Sequence, residues 1–155
     1  MAVIREPKEK DLMHFTRYAI EHFHIVREHE NGPLSDRLRE RKYWAADQLF
    51  GNDDGQKLLI AEKSGEMIGY IFGTIENPGS ESEYGCVREI FVDEFYRREG
   101  IGTELCEALM KWMHERGVTG VQLDMLASYP KAELFFESIG FSPMKKLYRW
   151  SPKSV

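Results

Sequence analysis

Arg97-Arg98-Glu99-Gly100-Ile101-Gly102 stands between an apolar run, Ile90-Phe91-Val92, and a segment of helical periodicity that begins at Ile101. A strand therefore feeds a basic, glycine-containing turn, and the turn opens a helix. The first amides of a helix have no intrahelical acceptor, and the helix dipole adds partial positive charge there. Together they favour an anion. Gly100 and Gly102 carry no Cβ to hold a ligand away from the backbone, and Arg97 and Arg98 add charged, forked donors. The reading is a phosphate-binding turn, with an ordinary basic surface turn as the alternative. Two nucleotide motifs are excluded. The third glycine of a dinucleotide fingerprint is replaced by Leu105, and no Gly-Lys-Ser/Thr follows.

The flanking segments build an α/β pattern. Downstream, Ile101, Leu105, Ala108, Leu109, Trp112 and Met113 share one helical face, and Gly117 ends the helix. Val118 to Met125 reads as a buried strand, and Pro130 opens a short helix with Ala132, Phe135, Phe136 and Ile139 on one face. Phe141 to Trp150 is expected to close the chain with one or two strands. Upstream, Val87 to Val92 is a strand. Lys57–Glu62 and Met67–Ile75 flank Lys63-Ser64-Gly65-Glu66 as an antiparallel hairpin. A short strand, Ala2–Arg5, precedes two helices. The first repeats Leu12, Phe15, Ala19, Phe23 and Val26; the second runs from Ser35, as its cap, to Leu49. Helices interrupting consecutive strands imply a mixed sheet.

A chain of 155 residues, 42% hydrophobic and 30% charged, fits one folded domain covering residues 1–155. No apolar stretch is long enough to span a bilayer, and Met1–Glu6 lacks a secretory core, so a cytoplasmic location and no membrane partner are expected. A net charge of −5 argues against a nucleic-acid binder and is compatible with a cationic amine substrate. Cys86 and Cys106 have no metal-type spacing and read as buried free thiols; no metal is expected. His22 and His24, two apart, do not face one another on a helix. With His14 and His29 they read as solvated or substrate-facing, and Trp44, Trp112 and Trp150 as core or interface.

The layout resembles the GNAT superfamily of acyl-CoA-dependent N-acetyltransferases. Its central motif, Gln/Arg-x-x-Gly-x-Gly/Ala, stands here as Arg97-x-x-Gly100-x-Gly102. Glu89-Ile90-Phe91-Val92-Asp93 resembles the family's fourth strand. Ala132 to Phe141 resembles its Ala-x-x-x-Tyr-x-x-x-Gly-Phe segment. The resemblance runs from about Lys57 to Trp150 and is generic before that. It implies a mixed, mostly antiparallel central sheet flanked by helices and splayed between strands four and five. It also implies transfer of an acetyl group from acetyl-CoA to a primary amine by direct attack in a ternary complex. The acceptor stays open between a small cationic amine, toward which the acidic composition leans, and a protein N-terminus or lysine.

By the same resemblance, backbone amides across Arg98, Glu99, Gly100, Ile101, Gly102 and Thr103 hold the pyrophosphate of coenzyme A. The pantetheine arm lies along Ile90-Phe91-Val92, and the amide of Phe91 or Val92 polarises the thioester carbonyl. An alkyl ammonium has a pKa of about 10, so its proton must be removed before attack. Glu89 is the candidate base, with pairing to Arg88 or a neighbouring strand as its structural alternative. Glu83, Tyr84 and Asp124 are further candidates. Two positions depart from the family. The usual asparagine is Tyr129, and the usual proton-donating tyrosine is Phe136, which can pack on the pantetheine arm but cannot donate. Tyr129 or Ser128 is then the hydroxyl at hand, or else only packs or caps. Phe136 also motivates the alternative of a non-catalytic acyl-CoA-binding regulatory module. The resemblance further implies a homodimer through the C-terminal strands.

Overall fold

A computed structural model describes residues 2–27, 35–51, 53–125 and 130–152, with side chains outside the description at 26, 27, 35–38 and 130. Five strands lie in chain order: β1 (Val3–Arg5), β2 (Gln56–Lys63), β3 (Glu66–Glu76), β4 (Tyr84–Val92) and β5 (Val121–Gln122). The first three pairings are antiparallel and the last is parallel. Helices α1 (Leu12–Arg27) and α2 (Ser35–Phe50) cover one face, and α3 (Ile101–Glu115) with α4 (Pro130–Ser138) covers the other. This is the mixed, mostly antiparallel, helix-flanked sheet expected from the sequence.

Strand alternation divides the core in two. Leu58, Ile60, Tyr70, Phe72 and Phe91 meet Phe15, Tyr18 and Ala19 of α1 and Ala45 and Leu49 of α2. Leu59, Ala61, Ile68, Ile71 and Val87 meet Ile101, Leu105, Leu109 and Met113 of α3. Each fully buried apolar side chain of this size contributes about 1.5–3 kcal/mol. The hairpin turn has Ser64 at φ 53° and Gly65 at φ 82°. Two left-handed residues match the twist of the strands they join. Gly73 lets α3 approach: a Cβ there would lie 2.7 Å from Leu109 Cδ2 and 3.0 Å from Met113 Cε.

A bulge at Arg88 shapes β4. Val87 pairs with Gly73 and Glu89 with Phe72, so Arg88 has no partner across the ladder. The extra residue reverses the alternation. Gly85 and Val87 face α3, as do Ile90 and Val92, whereas Phe91 packs with α1 and α2. Glu89 is thereby turned toward α1 and α2, and the ladder with β5 ends before the bulge. Only Gly85 and Cys86 pair with Val121 and Gln122. The expected strand Val118–Met125 is thus corrected to Val121–Gln122, because β4 pairs with it only at Gly85 and Cys86 and the rest has no partner edge.

The expected closing strands at Phe141–Trp150 are absent. Residues 141–152 carry no regular structure, and Met144, Leu147, Tyr148 and Trp150 are exposed. A strand needs an edge to pair with, and the two residues of β5 offer almost none. The expected cap Ser35 is the first residue of α2; its side chain lies outside the described residues.

Candidate active site

The turn between β4 and α3 leaves a run of backbone amides unpaired among the described residues. A short 3-10 turn, Glu94–Tyr96, is capped by Asp93, whose Oδ1 accepts from the Phe95 amide at 3.0 Å. Arg97 Nε donates to the Val92 carbonyl at 2.9 Å, which pins the start of the turn to the end of β4. Arg98 at φ 69° and Gly100 at φ 80° then take left-handed conformations. Such alternation turns successive amides toward one point. The first bond of α3 runs from the Glu104 amide to the Gly100 carbonyl, 3.0 Å. Among the described residues, the amides from Arg98 to Thr103 have no acceptor of their own. The Glu99 carboxylate, which would repel an anion, is paired with Lys63 Nζ at 2.6 Å. A Cβ on Gly102 would meet the Phe135 ring at 3.0 Å.

Next to the turn lies the gap between β4 and β5. Asp93 N–H donates to the Ile68 carbonyl of β3 at 2.8 Å. Alternation then directs the amides of Val92 and Ile90 the other way, into the gap, and that of Phe91 toward β3. Of the two amides expected at the thioester, the one that opens on the gap is Val92. Phe136 is buried in the core on the α3 side of the sheet, its ring edge-on to Phe135 and Phe141 at 5.1 and 5.7 Å.

On the opposite face of β4, four polar side chains converge. Arg41 of α2 forks onto Glu89: Nη1 reaches Oε2 at 2.7 Å, and Nη2 bonds Oε1. Its Nε donates to the Ala19 carbonyl at 2.9 Å, and its guanidinium lies 4.0 Å over the Trp44 ring. Tyr70 donates its hydroxyl to Glu89 Oε1 at 2.8 Å. His22 of α1 brings Nδ1 within 3.6 Å of the same oxygen. Burial pushes the Tyr70 phenol well above its ordinary range, so it stays a donor. Burial also pushes the His22 imidazole down; Arg41 reinforces that and Glu89 opposes it.

The carboxylate expected as base therefore sits at the centre of a polar cluster. Its partner is Arg41, not Arg88, which pairs instead with Glu76. Among the further candidates, Glu83 accepts from the Gly79 amide at 2.7 Å, and Asp124 is exposed. Tyr129 and Ser128 lie outside the described residues. Sequence reasoning missed Arg41 and the inward turn of His22. His22 follows Tyr18 by four and Ala19 by three, and Arg41 precedes Ala45 by four. A charged or polar residue on an apolar stripe was the available signal. Both cysteines are buried free thiols; burial pushes Cys106 up to about 12 and Cys86 also upward, so neither is a ready nucleophile. Among the described residues no group of His, Cys, Asp or Glu forms a metal site, and no helix is long and apolar enough to cross a membrane.

This geometry agrees with what comparison with known proteins finds. The model of the acetyltransferase (GNAT) family matches residues 20–141, and the chain belongs to that family. An N-alpha-acetyltransferase of Sulfurisphaera tokodaii is 38% identical over 97 residues, which are 57% of this chain and 58% of that protein. The chain thus spans little more than half of that relative's length. The ribosomal protein bS18 alanine N-acetyltransferase of Escherichia coli is 25% identical over 115 residues, 71% of this chain and 74% of that one. In structure, the aminoglycoside N-acetyltransferase AAC(6')-Iy, solved in complex with CoA, superposes with a TM-score of 0.77 at 17% identity, covering 99% of this chain and 96% of that one. At that identity the likeness is one of fold.

Proposed function

We propose that the chain transfers an acetyl group from acetyl-CoA to the α-amino group of a peptide or protein N-terminus, by direct attack in a ternary complex. The observation that carries this choice is the sequence likeness to N-alpha-acetyltransferases, set against a likeness in fold alone to the aminoglycoside enzyme. The amides from Arg98 to Thr103, with Arg97 and Arg98, hold the pyrophosphate. Ile90, Phe91 and Val92 line the pantetheine arm, the Val92 amide meets the thioester carbonyl, and Phe136 packs beneath. Glu89 supplies the negative charge that proton removal from the acceptor requires. Phe136 offers no hydroxyl to the departing sulfur. A thiol with an ordinary pKa of about 8.5 leaves tolerably as thiolate without one. The exposed apolar side chains of residues 141–152 support self-association into a homodimer.

Thermal unfolding with acetyl-CoA, coupled to a free-thiol assay, tests the reading. The acceptor panel holds N-terminal peptides, N-terminally blocked lysine peptides, polyamines and an aminoglycoside. The expected result is a raised melting temperature with acetyl-CoA alone and thiol release with free N-termini. No shift at saturating ligand overturns the cofactor reading. A shift with release only for polyamines or the aminoglycoside overturns the acceptor.

A further inference from the structure

We propose that His22 is the proton acceptor of this site: the Glu89 carboxylate stabilises its charged ring from the Nδ1 side, and Nε2 takes the proton from the acceptor ammonium. The inference deepens the proposed transfer reaction and rests on it.

The argument begins with the lone pairs of Glu89. Oε2 receives Arg41 Nη1, and Oε1 receives both Arg41 Nη2 and the Tyr70 hydroxyl. Three donors thus occupy three of the carboxylate's four lone-pair sites, with Oε1 full and Oε2 keeping one, so Glu89 is already engaged as an acceptor. Arg41 is itself locked by Ala19 and Trp44, and Tyr70 is wholly buried. His22 has no such commitment. Its Nδ1 lies 3.6 Å from Glu89 Oε1, outside hydrogen-bond reach and near enough for the carboxylate charge to stabilise the imidazolium. Its Nε2 is on the far side of the ring, and no described residue donates to it or accepts from it. The side chain is one-fifth exposed, so it is held by its neighbours yet reached from solvent. The groups that face the ring are Glu89 of β4, Arg41 of α2 and, behind Glu89, Tyr70 of β3. A carboxylate that stabilises the imidazolium is the logic by which a neutral histidine becomes a working base.

The step balances without another reactant. The acceptor N–H bond gives its proton to Nε2, and the freed lone pair forms the C–N bond at the thioester carbonyl. The C–S bond breaks, and the sulfur leaves as thiolate. The imidazolium proton goes to solvent, and the nitrogen, which still carries one proton more than the amide, gives it to the thiolate.

The same chemistry restricts the acceptor. An imidazole held below its ordinary value is a weak base. It can deprotonate an α-ammonium, whose pKa is about 8, far more readily than a lysine ammonium at about 10.4. At pH 7.5 the neutral fractions alone favour the N-terminus by about 200-fold.

Two measurements test the assignment. In the unaltered chain, NMR titration of the His22 ring should give the same midpoint as the acid limb of kcat/KM, below the ordinary imidazole range. A His22 titrating well apart from that limb overturns the proposal. His22→Gln should then lower kcat by about 100-fold, abolish the acid limb and leave acetyl-CoA affinity within twofold. Added imidazole should partly restore His22→Gly. An unchanged pH profile in His22→Gln, with the unaltered chain active, removes His22 alone. Absence of thiol release from the unaltered chain across the amine panel removes the transfer reaction and this proposal with it.

Discussion

Arg41 Nη1 and Glu89 Oε2 stand 2.7 Å apart, and the pair ties α2 to the middle of β4. Both side chains are nearly nine-tenths buried, so removing either leaves an uncompensated charge in the crevice. Arg41→Met should cost about 3 kcal/mol of stability in urea unfolding. Arg41→Met with Glu89→Gln should recover part of that, because no lone charge remains. Additive losses in the double variant would show that the pair is not coupled.

Arg5 and Asp11 form a second pair, with both Arg5 terminal nitrogens 2.8 Å from the carboxylate oxygens. Burial alone would push the Asp11 carboxyl up. Hydrogen bonds from Arg5 and the Lys8 amide, with the charges of Arg5 and Lys10, overcome it and hold the group below its ordinary value. A carboxyl depressed in the folded state adds stability that is fully present above its unfolded value, about 3.9. That stability is lost as pH falls through the folded value. Melting temperatures should therefore drop more steeply below pH 4 in the unaltered chain than in Asp11→Asn. Asp11→Asn should be the less stable of the two at pH 7, and parallel acid limbs would remove Asp11 from this role.

Arg98 occupies left-handed backbone at φ 69°, a conformation that costs a non-glycine residue about 1 kcal/mol. Arg98→Gly should raise stability by about 0.5–1 kcal/mol while weakening acetyl-CoA, since one cation leaves the anion site. Gly102→Asp does the opposite kind of damage: its Cβ meets Phe135 at 3.0 Å, and its charge opposes phosphate. Calorimetry should find acetyl-CoA binding abolished in Gly102→Asp. Retained affinity would mean that the pocket lies elsewhere.

Trp150, Leu147 and Met144 are at least four-fifths exposed. If these side chains meet a second copy, sedimentation should give a dimer for the full chain. Trp150→Glu with Leu147→Glu should give a monomer whose melting temperature is lower at matched concentration. A full chain that sediments as a monomer at every concentration excludes the dimer.

Much of this architecture was legible in the residues themselves. The stripe Ile101-Leu105-Leu109-Met113 has one helical reading, and Ser64-Gly65 between two apolar runs has one hairpin reading. The strand–turn–helix around Gly100 was legible for the same reason, since its geometry is local to six residues. Val118–Met125 and Phe141–Trp150 were misread because an apolar run says that a strand is affordable, not that an edge awaits it. On β4 that edge extends over Gly85 and Cys86 alone, which no periodicity announces. His22 and Arg41 escaped because their partner, Glu89, is distant in sequence and reaches them only through the bulge at Arg88.

The open stretch of β4 has a further consequence. Unpaired strand edges are where chains join one another into aggregates, and proteins ordinarily hide them at the rim with charge or proline. Here the bare edge is inside the sheet, closed at one end by the Gly85–Val121 ladder and at the other by the α3 turn. A cleft of that form admits a slender arm and turns away a second strand. On the proposed function, protection against misassembly and access for a cofactor are thereby met by one short ladder.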